Sequence, residues 1–317
     1  MNKIQVEMGM KYYYSIYGYL LESQIPLSHL ALKKRAKADF RFSLRPGKPS
    51  LLGMKWYHHI YDDDGNLTFS FAKSKRSFLV RMHGNADFSL SLDGKSITCW
   101  RNKNLDLPGI EALLLTQAFP LALTLGGHEV LHGGVIKIKK TAVLLLGHQG
   151  FGKSTLTLAF INQGYSFLSD DVVPLIWKDE KCYVVPGLKE VRVFPEILKL
   201  IFKKTKKNLK TVPAFQKSRL HLKSQFTSRL LPISEIFVLE APLKRTKKIS
   251  IERSTPAEAF VALLDNSFRL DLTDRVRMRR ELNTLTELVN SVPVRKLNYP
   301  RKLNLLPKVI EEIVATL

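Results

Sequence analysis

Residues 147–155 read Gly-His-Gln-Gly-Phe-Gly-Lys-Ser-Thr, and this segment constrains the chain more than any other. Gly147, Gly150 and Gly152 allow a backbone that turns sharply with no side chain in the way. Ala142 to Leu146 is a short apolar run, which predicts a buried strand. Lys153 to Gln163 carries Leu156, Leu158, Ala159 and Phe160, and Gly164 reads as a helix stop. Strand, glycine loop and helix in that order are the context of a phosphate-binding loop; a chance glycine-rich turn lacks both flanks.

The residue types follow from the task. Successive backbone N–H groups and a helix N-terminus face an anion. Lys153 is a flexible cation that reaches the β- and γ-phosphates, and the Ser154 hydroxyl is placed to ligate Mg²⁺. Gly147, Gly150, Phe151, Gly152, Lys153, Ser154 and Thr155 are therefore the expected nucleotide-binding set. The motif implies a nucleoside triphosphate and leaves open what is done with it.

At 317 residues the chain has room for two domains. Its 45% hydrophobic and 25% charged residues are those of a globular protein. Cys99 and Cys182 have no metal-type spacing, so reduced thiols and a cytoplasmic setting are expected. The N-terminus is a poor signal peptide. The apolar region Leu113 to Leu125 is short for a membrane span and is interrupted by Thr116, Gln117 and Pro120, which predicts a buried helix.

The formal net charge of +22 favours anionic partners. Between Ile197 and Ser234 there is no acidic residue, while Lys199, Lys203, Lys204, Lys206, Lys207, Lys210, Lys217, Arg219, Lys223 and Arg229 all fall there. This stretch is a candidate clamp for substrate or phosphate. Arg275, Arg277, Arg279 and Arg280 read as a solvated face. Specific nucleic-acid binding is not expected, because no recognition motif is present and aromatic residues are not interleaved with the lysines.

Residues 1 to about 105 read as β-rich. Asp62-Asp63-Asp64-Gly65-Asn66 and Asp93-Gly94 separate strand-like runs, a hairpin signal. The Asp62 run is a turn rather than a calcium loop, since the calcium-loop glycine falls at Leu67 and no glutamate completes the pattern. A helix is expected from about Pro108 to Leu125, giving domains 1–107 and 108–317. Strands follow at Val135–Ile138, Tyr165–Leu168, Val172–Ile176, Cys182–Val185 and Ile236–Leu239. Thr255-Pro256-Ala257-Glu258 opens a helix with a capping box, and helices are expected at Arg275–Asn290 and Pro307–Leu317.

Asp170 and Asp171 end the strand after the loop helix. Ligands of α/β sheets bind outside the carboxyl ends of strands, so both carboxylates are expected beside the triphosphate. Phosphoryl transfer needs a carboxylate for Mg²⁺ and a group to accept the acceptor hydroxyl's proton, and two adjacent aspartates can divide those tasks. His132 precedes the strand into the loop and can hydrogen-bond the acids or a phosphate. Arg192 can hold phosphate bidentately.

The order Leu-His-Gly (131–133), strand, phosphate loop, helix, then Gly164-Tyr165 and Phe167-Leu168-Ser169-Asp170-Asp171 resembles the HPr serine kinase/phosphorylase family. That family has the phosphoenolpyruvate-carboxykinase type of phosphate-loop fold. Tyr17 to Leu27, Glu190 to Glu196 and Ser291 to Arg301 resemble, in addition, the HPr-kinase-like proteins of peptide natural-product pathways, among them lasso-peptide precursor kinases. The resemblance implies an α/β kinase core with an N-terminal β-rich domain, using ATP and Mg²⁺. It implies Asp170 as base toward a serine hydroxyl and Ser154 and Asp171 at the metal. It implies His132 orienting the acids or the phosphate, with Arg192 and one of Lys217 or Arg219 neutralising the transferring group. The chain lacks the Arg-Gly-x-Gly type of sequence that HPr kinases carry after their second acidic region, which points away from HPr as acceptor.

The expected function is that of a serine kinase acting on a peptide or small protein, such as a natural-product precursor peptide. Alternatives are an ATP-binding regulatory module without transfer and a kinase of a small-molecule hydroxyl. Homo-oligomerisation is left open.

Overall fold

The computed structural model describes residues 10–28, 30–201, 209–212, 217–241 and 248–317. The chain divides into two compact units, Met1–Gly127 and His128–Leu317.

The first unit carries one eight-stranded sheet built from β1 (Tyr12–Ile16), β2 (Tyr19–Ser23), β3 (Phe40–Arg45), β4 (Lys55–Tyr61), β5 (Leu67–Lys73), β6 (Ser77–Met82), β7 (Ala86–Ser91) and β8 (Ser96–Arg101). Their order is β1-β2-β3-β8-β7-β6-β5-β4, antiparallel except for β2 with β3 and β3 with β8. The aspartate turns form as the sequence predicts. Asp62 Oδ1 accepts from the backbone N–H of Asp64 and Asn66 at 3.1 and 2.7 Å, closing the β4–β5 hairpin. Asp93 Oδ1 accepts from the Ser91 hydroxyl and the Lys95 N–H, closing β7–β8.

A helical stretch follows: α1 (Leu107–Leu113), a π-helical turn (Leu114–Ala118) and α2 (Phe119–Leu125). Asp106 caps it by accepting from Gly109 N–H at 2.8 Å. This helix is apolar enough to pass for a membrane span by composition, yet 78% of its apolar window is buried. It also corrects the expected boundary at 107/108. Phe119 packs on Phe40 and Tyr17, at 4.9 and 6.0 Å between ring centroids, and Glu111 Oε2 accepts from the Ser28 N–H and hydroxyl. The helix is thus part of the first unit's core, and the division falls at 127/128. An apolar helix must be covered, but its sequence does not say by which sheet.

The second unit runs β9 (Glu129–Leu131), β10 (Gly134–Ile138), β11 (Thr141–Leu146), α3 (Lys153–Asn162), β12 (Ser166–Asp170), β13 (Val173–Lys178), β14 (Lys181–Val184), β15 (Glu190–Val193) and α4 (Pro195–Ile201). It continues through β16 (Leu209–Val212), β17 (Lys217–His221), β18 (Leu231–Leu239), β19 (Ser250–Arg253), α5 (Pro256–Asp265), α6 (Arg275–Ser291), β20 (Val294–Asn298) and α7 (Leu306–Ala315). The main sheet has the order β12-β10-β11-β18-β14-β13-β9, with β20 beside β18 and β19 beside β20. β11, β18 and β20 are parallel, whereas β10 is antiparallel to both β11 and β12. A smaller sheet has the order β15-β17-β16.

The core lies on both faces of the main sheet, as the alternation along β11 requires. Val143 and Leu145 pack with Leu156 and Phe160 of α3 and with Val309 and Ile313 of α7. Ala142, Leu144 and Leu146 pack with Ala259 and Leu263 of α5 and Leu285 and Leu288 of α6. Helices on both faces of a sheet with a parallel centre explain why β11 reads as an unbroken apolar run. Thr255 and Glu258 form the expected capping box at α5.

Candidate phosphate-loop site

Residues 147–152 leave the carboxyl end of β11 and enter α3. Gly147, Gly150 and Gly152 have φ of 136°, 84° and 91°, a region L side chains rarely adopt. At Gly147 space adds a second demand, since a Cβ would stand 2.7 Å from the Leu239 carbonyl oxygen. The Gly147 N–H donates to Asn266 Oδ1 at 3.1 Å, so the start of the loop is pinned to the end of α5. Lys153 is buried, and its Nζ donates to the carbonyls of Gly147 and, at 3.1 Å, His148. The ammonium is thereby held across the loop from the first turn of α3. The His148 ring meets Phe151 edge-on, and Phe151 packs against the α3 core. Ser154 and Thr155 follow Lys153 in that first turn.

The acid pair sits at the end of β12. Gly134 of β10 lies opposite Asp170 in register, and β10 is the strand between β12 and β11. A Cβ on Gly134 would meet Thr157 Oγ1 at 2.4 Å and Asp170 Oδ1 at 3.7 Å. The bare glycine therefore lets the Asp170 carboxylate approach α3 one turn beyond Lys153. Asp171 takes φ of 74°, a left-handed conformation that Asp tolerates better than most residues and that turns the chain directly after Asp170.

The segment 186–192 closes over this end. Gly187 N–H donates to the Leu168 carbonyl at 2.7 Å, and any side chain at Gly187 would collide with Ser169. This packing brings Arg192 to both acids. Its backbone N–H donates to Asp170 Oδ2 at 3.0 Å, and its Nη1 donates to Asp171 Oδ2 at 3.2 Å. Arg192 and Asp171 are both buried, so the pair is more than a surface ion pair.

His132 reaches the same place through backbone. Its N–H donates to the Asn266 carbonyl at 2.6 Å, and the next N–H, of Gly133, donates to the Asp171 carbonyl at 3.3 Å. Its ring stands edge-on to Phe268 at 6.1 Å. Asn266 therefore ties the loop, through Gly147, to the chain leading to the acids. Nothing local marks it in the sequence, where it lies 119 residues from its partner.

The expected substrate cations lie differently. Arg219 is 1% exposed, with its Nε 3.6 Å from Glu190 Oε1, and stands opposite Arg192 in the β15–β17 register. A side chain so enclosed is seated in an internal ion pair, and this Glu190 partner is a site neighbour the sequence reading missed. The side chains of Lys210 and Lys217 and all of Lys203, Lys204, Lys206 and Lys207 lie outside the described residues. Arg275, Arg279 and Arg280 are exposed on α6, as a solvated face requires, and Arg277 pairs with Asp274 at 3.2 Å. Cys99 and Cys182 are free and buried, and burial pushes each thiol up to about 12.

A hydroxyl in the first turn of α3 together with carboxylates at the end of β12 is a hard oxygen donor set. It suits Mg²⁺, which takes one or two protein carboxylates and completes its shell with phosphate oxygens and water. Asp170 Oδ1 is buried beside the space that a Cβ on Gly134 would fill.

Strand, glycine loop, helix and an acid pair two strands away form a unit of α/β class. Residues 124–199, which span the loop, the acids and Arg192, match the family described as HPr Serine kinase C-terminal domain. Over this segment the chain is similar to the C-terminal domain of HPr serine kinases. It is 42% identical over 55 residues to an HPr kinase/phosphorylase of Neisseria meningitidis, 17% of each chain. It is 34% identical over 77 residues to one of Lactobacillus acidophilus, 24% of each. The chain thus spans between a sixth and a quarter of these curated relatives. The Hpr(Ser) kinase/phosphatase structure from Coxiella burnetii aligns with 59% of this chain and 94% of its own, at 15% identity and a TM-score of 0.31, too distant a likeness to extend the relation.

Proposed function

We propose that the protein is an ATP- and Mg²⁺-dependent serine kinase. The observation that carries this reading is the acid pair: Asp170 is aimed past Gly134 at α3, one turn beyond the loop lysine, and Asp171 is held beside it by Arg192. A loop that only binds nucleotide has no need of two such acids. In this reading the loop N–H groups and Lys153 hold the phosphates, and Asp170 accepts the proton of the attacking serine hydroxyl. Ser154 and Asp171 hold Mg²⁺, which when bound neutralises charge on the β- and γ-phosphate oxygens. Arg192 sets the direction of both carboxylates and counters charge at the transferring group. His132 fixes the chain that carries the acids.

The acceptor is a serine on a peptide or small protein, and the resemblance to natural-product kinases favours a precursor peptide. The setting that fits is cytoplasmic, where ATP is supplied. Incubation with γ-labelled ATP and the peptide encoded beside this gene, followed by mass spectrometry, tests the reading. Phosphoserine on that peptide is expected, and its absence with ATP bound and Mg²⁺ present removes the peptide-kinase assignment.

A further inference from the structure

The sheet order gives the loop two unlike sides. β12, with Asp170, lies two strands from β11 on one side, and β20 lies two strands from it on the other. β11, β18 and β20 are parallel, so the residues that follow them gather at the edge where such sheets bind ligands. Those residues are the loop itself, Glu240 after β18, and Tyr299-Pro300-Arg301 after β20.

Both ends of the loop rest on these segments. Gly147 abuts the Leu239 carbonyl, and a Cβ on Gly152 would stand 3.5 Å from the Tyr299 hydroxyl. The Arg301 guanidinium lies on the face of Tyr299, 3.9 Å from its ring centroid, and Nη2 donates to the Glu240 carbonyl at 2.6 Å. Tyr299 is buried, so the cation is fixed over a rigid ring. Arg301 Nε and Nη1 are buried with no hydrogen-bond partner among the described residues. Arg301 as a whole is half-buried and its guanidinium is also held at the Tyr299 hydroxyl, yet two buried donors without an acceptor among the described residues are costly and call for one, such as water, an ion or a ligand. Beside a phosphate loop that acceptor is a phosphate oxygen, which an arginine binds with charge-assisted hydrogen bonds.

We infer that Arg301 is a nucleotide-binding residue that holds the α-phosphate, at the opposite end of the triphosphate from the phosphoryl group that meets Asp170. The inference rests on the kinase reading for a nucleotide at the loop, and adds its direction: nucleoside toward β20, γ-phosphate toward β12. Its contact is the same in ground and transition states, so it contributes to nucleotide affinity rather than to the chemical step.

Titration calorimetry with ADP and with pyrophosphate, on the full chain, tests it. Arg301→Gln keeps a donor for the Glu240 carbonyl and removes the charge. It is expected to melt like the wild type and to weaken ADP about tenfold or more. Pyrophosphate, which fills only the phosphate positions nearest Lys153, is expected to change less than about twofold, and Arg301→Lys to fall between. Equal ADP affinity in wild type and Arg301→Gln overturns the inference, as does equal weakening of ADP and pyrophosphate. Loss of cooperative unfolding in both variants assigns Arg301 to the fold alone and overturns it too. Failure of the wild type to bind ADP at all is a different result, because it removes the nucleotide reading itself.

Discussion

The two sheets of this protein bury different things. Among the described residues, the first unit's buried polar groups are Ser23, Ser70, Glu111 and Thr116, and Glu111 is the one ionisable group among them. Ser23 bonds to Ile25, Thr116 to the Ala112 carbonyl, Glu111 caps Ser28, and Ser70 stands between His59 Nδ1 and His83 Nε2. The second unit buries Lys153, Asp171, Glu190, Arg192, Arg219 and Glu235. Taking charge from water is expensive, and an apolar replacement is often no less stable. Lys153, Asp171 and Arg192 are buried at the loop and the acid pair, and burial on that scale is organised for something other than stability. The first sheet is a hydrophobic scaffold, and the second is a holder for an electrostatic site.

The largest expected effect lies in the second unit. Asp170→Asn should lower phosphoryl transfer about 100- to 10,000-fold, the range for removing a general base. Lys153→Ala should cost about 100- to 1,000-fold, as for loss of one preorganised charge donor. Both should melt like the wild type in calorimetry, and a collapse of the fold instead would mean these charges are structural.

Stability separates the units more sharply. Arg219→Met leaves Glu190 buried beside a neutral chain and should cost about 3–5 kcal/mol in denaturant unfolding. Arg81→Met breaks the partly exposed Arg81–Asp87 pair of the first sheet, 2.8 Å at Nε, and should cost at most about 1 kcal/mol. Equal costs would erase the distinction.

Gly134→Ala drives a methyl into Thr157 and should destabilise by about 1–3 kcal/mol. Thr157→Ala in the same chain should return part of that loss, since it removes the colliding hydroxyl. No return would mean that the glycine is required for its backbone alone.

A separate effect is a slope with pH. Burial first, and then the Glu281 carboxylate, raises Glu129 from 4.5 to about 8. The folded state therefore holds a proton that the unfolded chain has released, so stability should be full below about pH 4.5 and fall as pH rises through about 8. Melting temperature against pH should show that decline in the wild type and a flatter profile in Glu129→Gln. Parallel profiles would exclude Glu129 as the source.

What could be read from the sequence was local. The loop, α3, the capping box at α5 and the aspartate turns each rest on residues within about one turn of one another, where spacing alone carries the physics. Asp170 and Asp171 were legible because a strand end next to the loop helix is a ligand-binding edge. What was not legible depends on register between distant segments. Gly134 faces Asp170 only through β10–β12 pairing, and Glu190 meets Arg219 only through β15–β17. Asn266 reaches Gly147 from the far end of α5, and Arg301 reaches Glu240 across two parallel strands. The helix 107–125 reads correctly as buried, but its placement in the first unit follows from Phe119 finding Phe40 and Tyr17, which no periodicity announces.

The central claim is that the acid pair transfers a phosphoryl group and does not merely accompany a bound nucleotide. A single-turnover measurement with γ-labelled ATP, Mg²⁺ and a serine peptide that the wild type phosphorylates, run beside ATP affinity, tests it most directly. The account predicts that Asp170→Asn binds ATP as the wild type does while transfer to serine falls at least about 100-fold. Transfer at the wild-type rate in Asp170→Asn would contradict it.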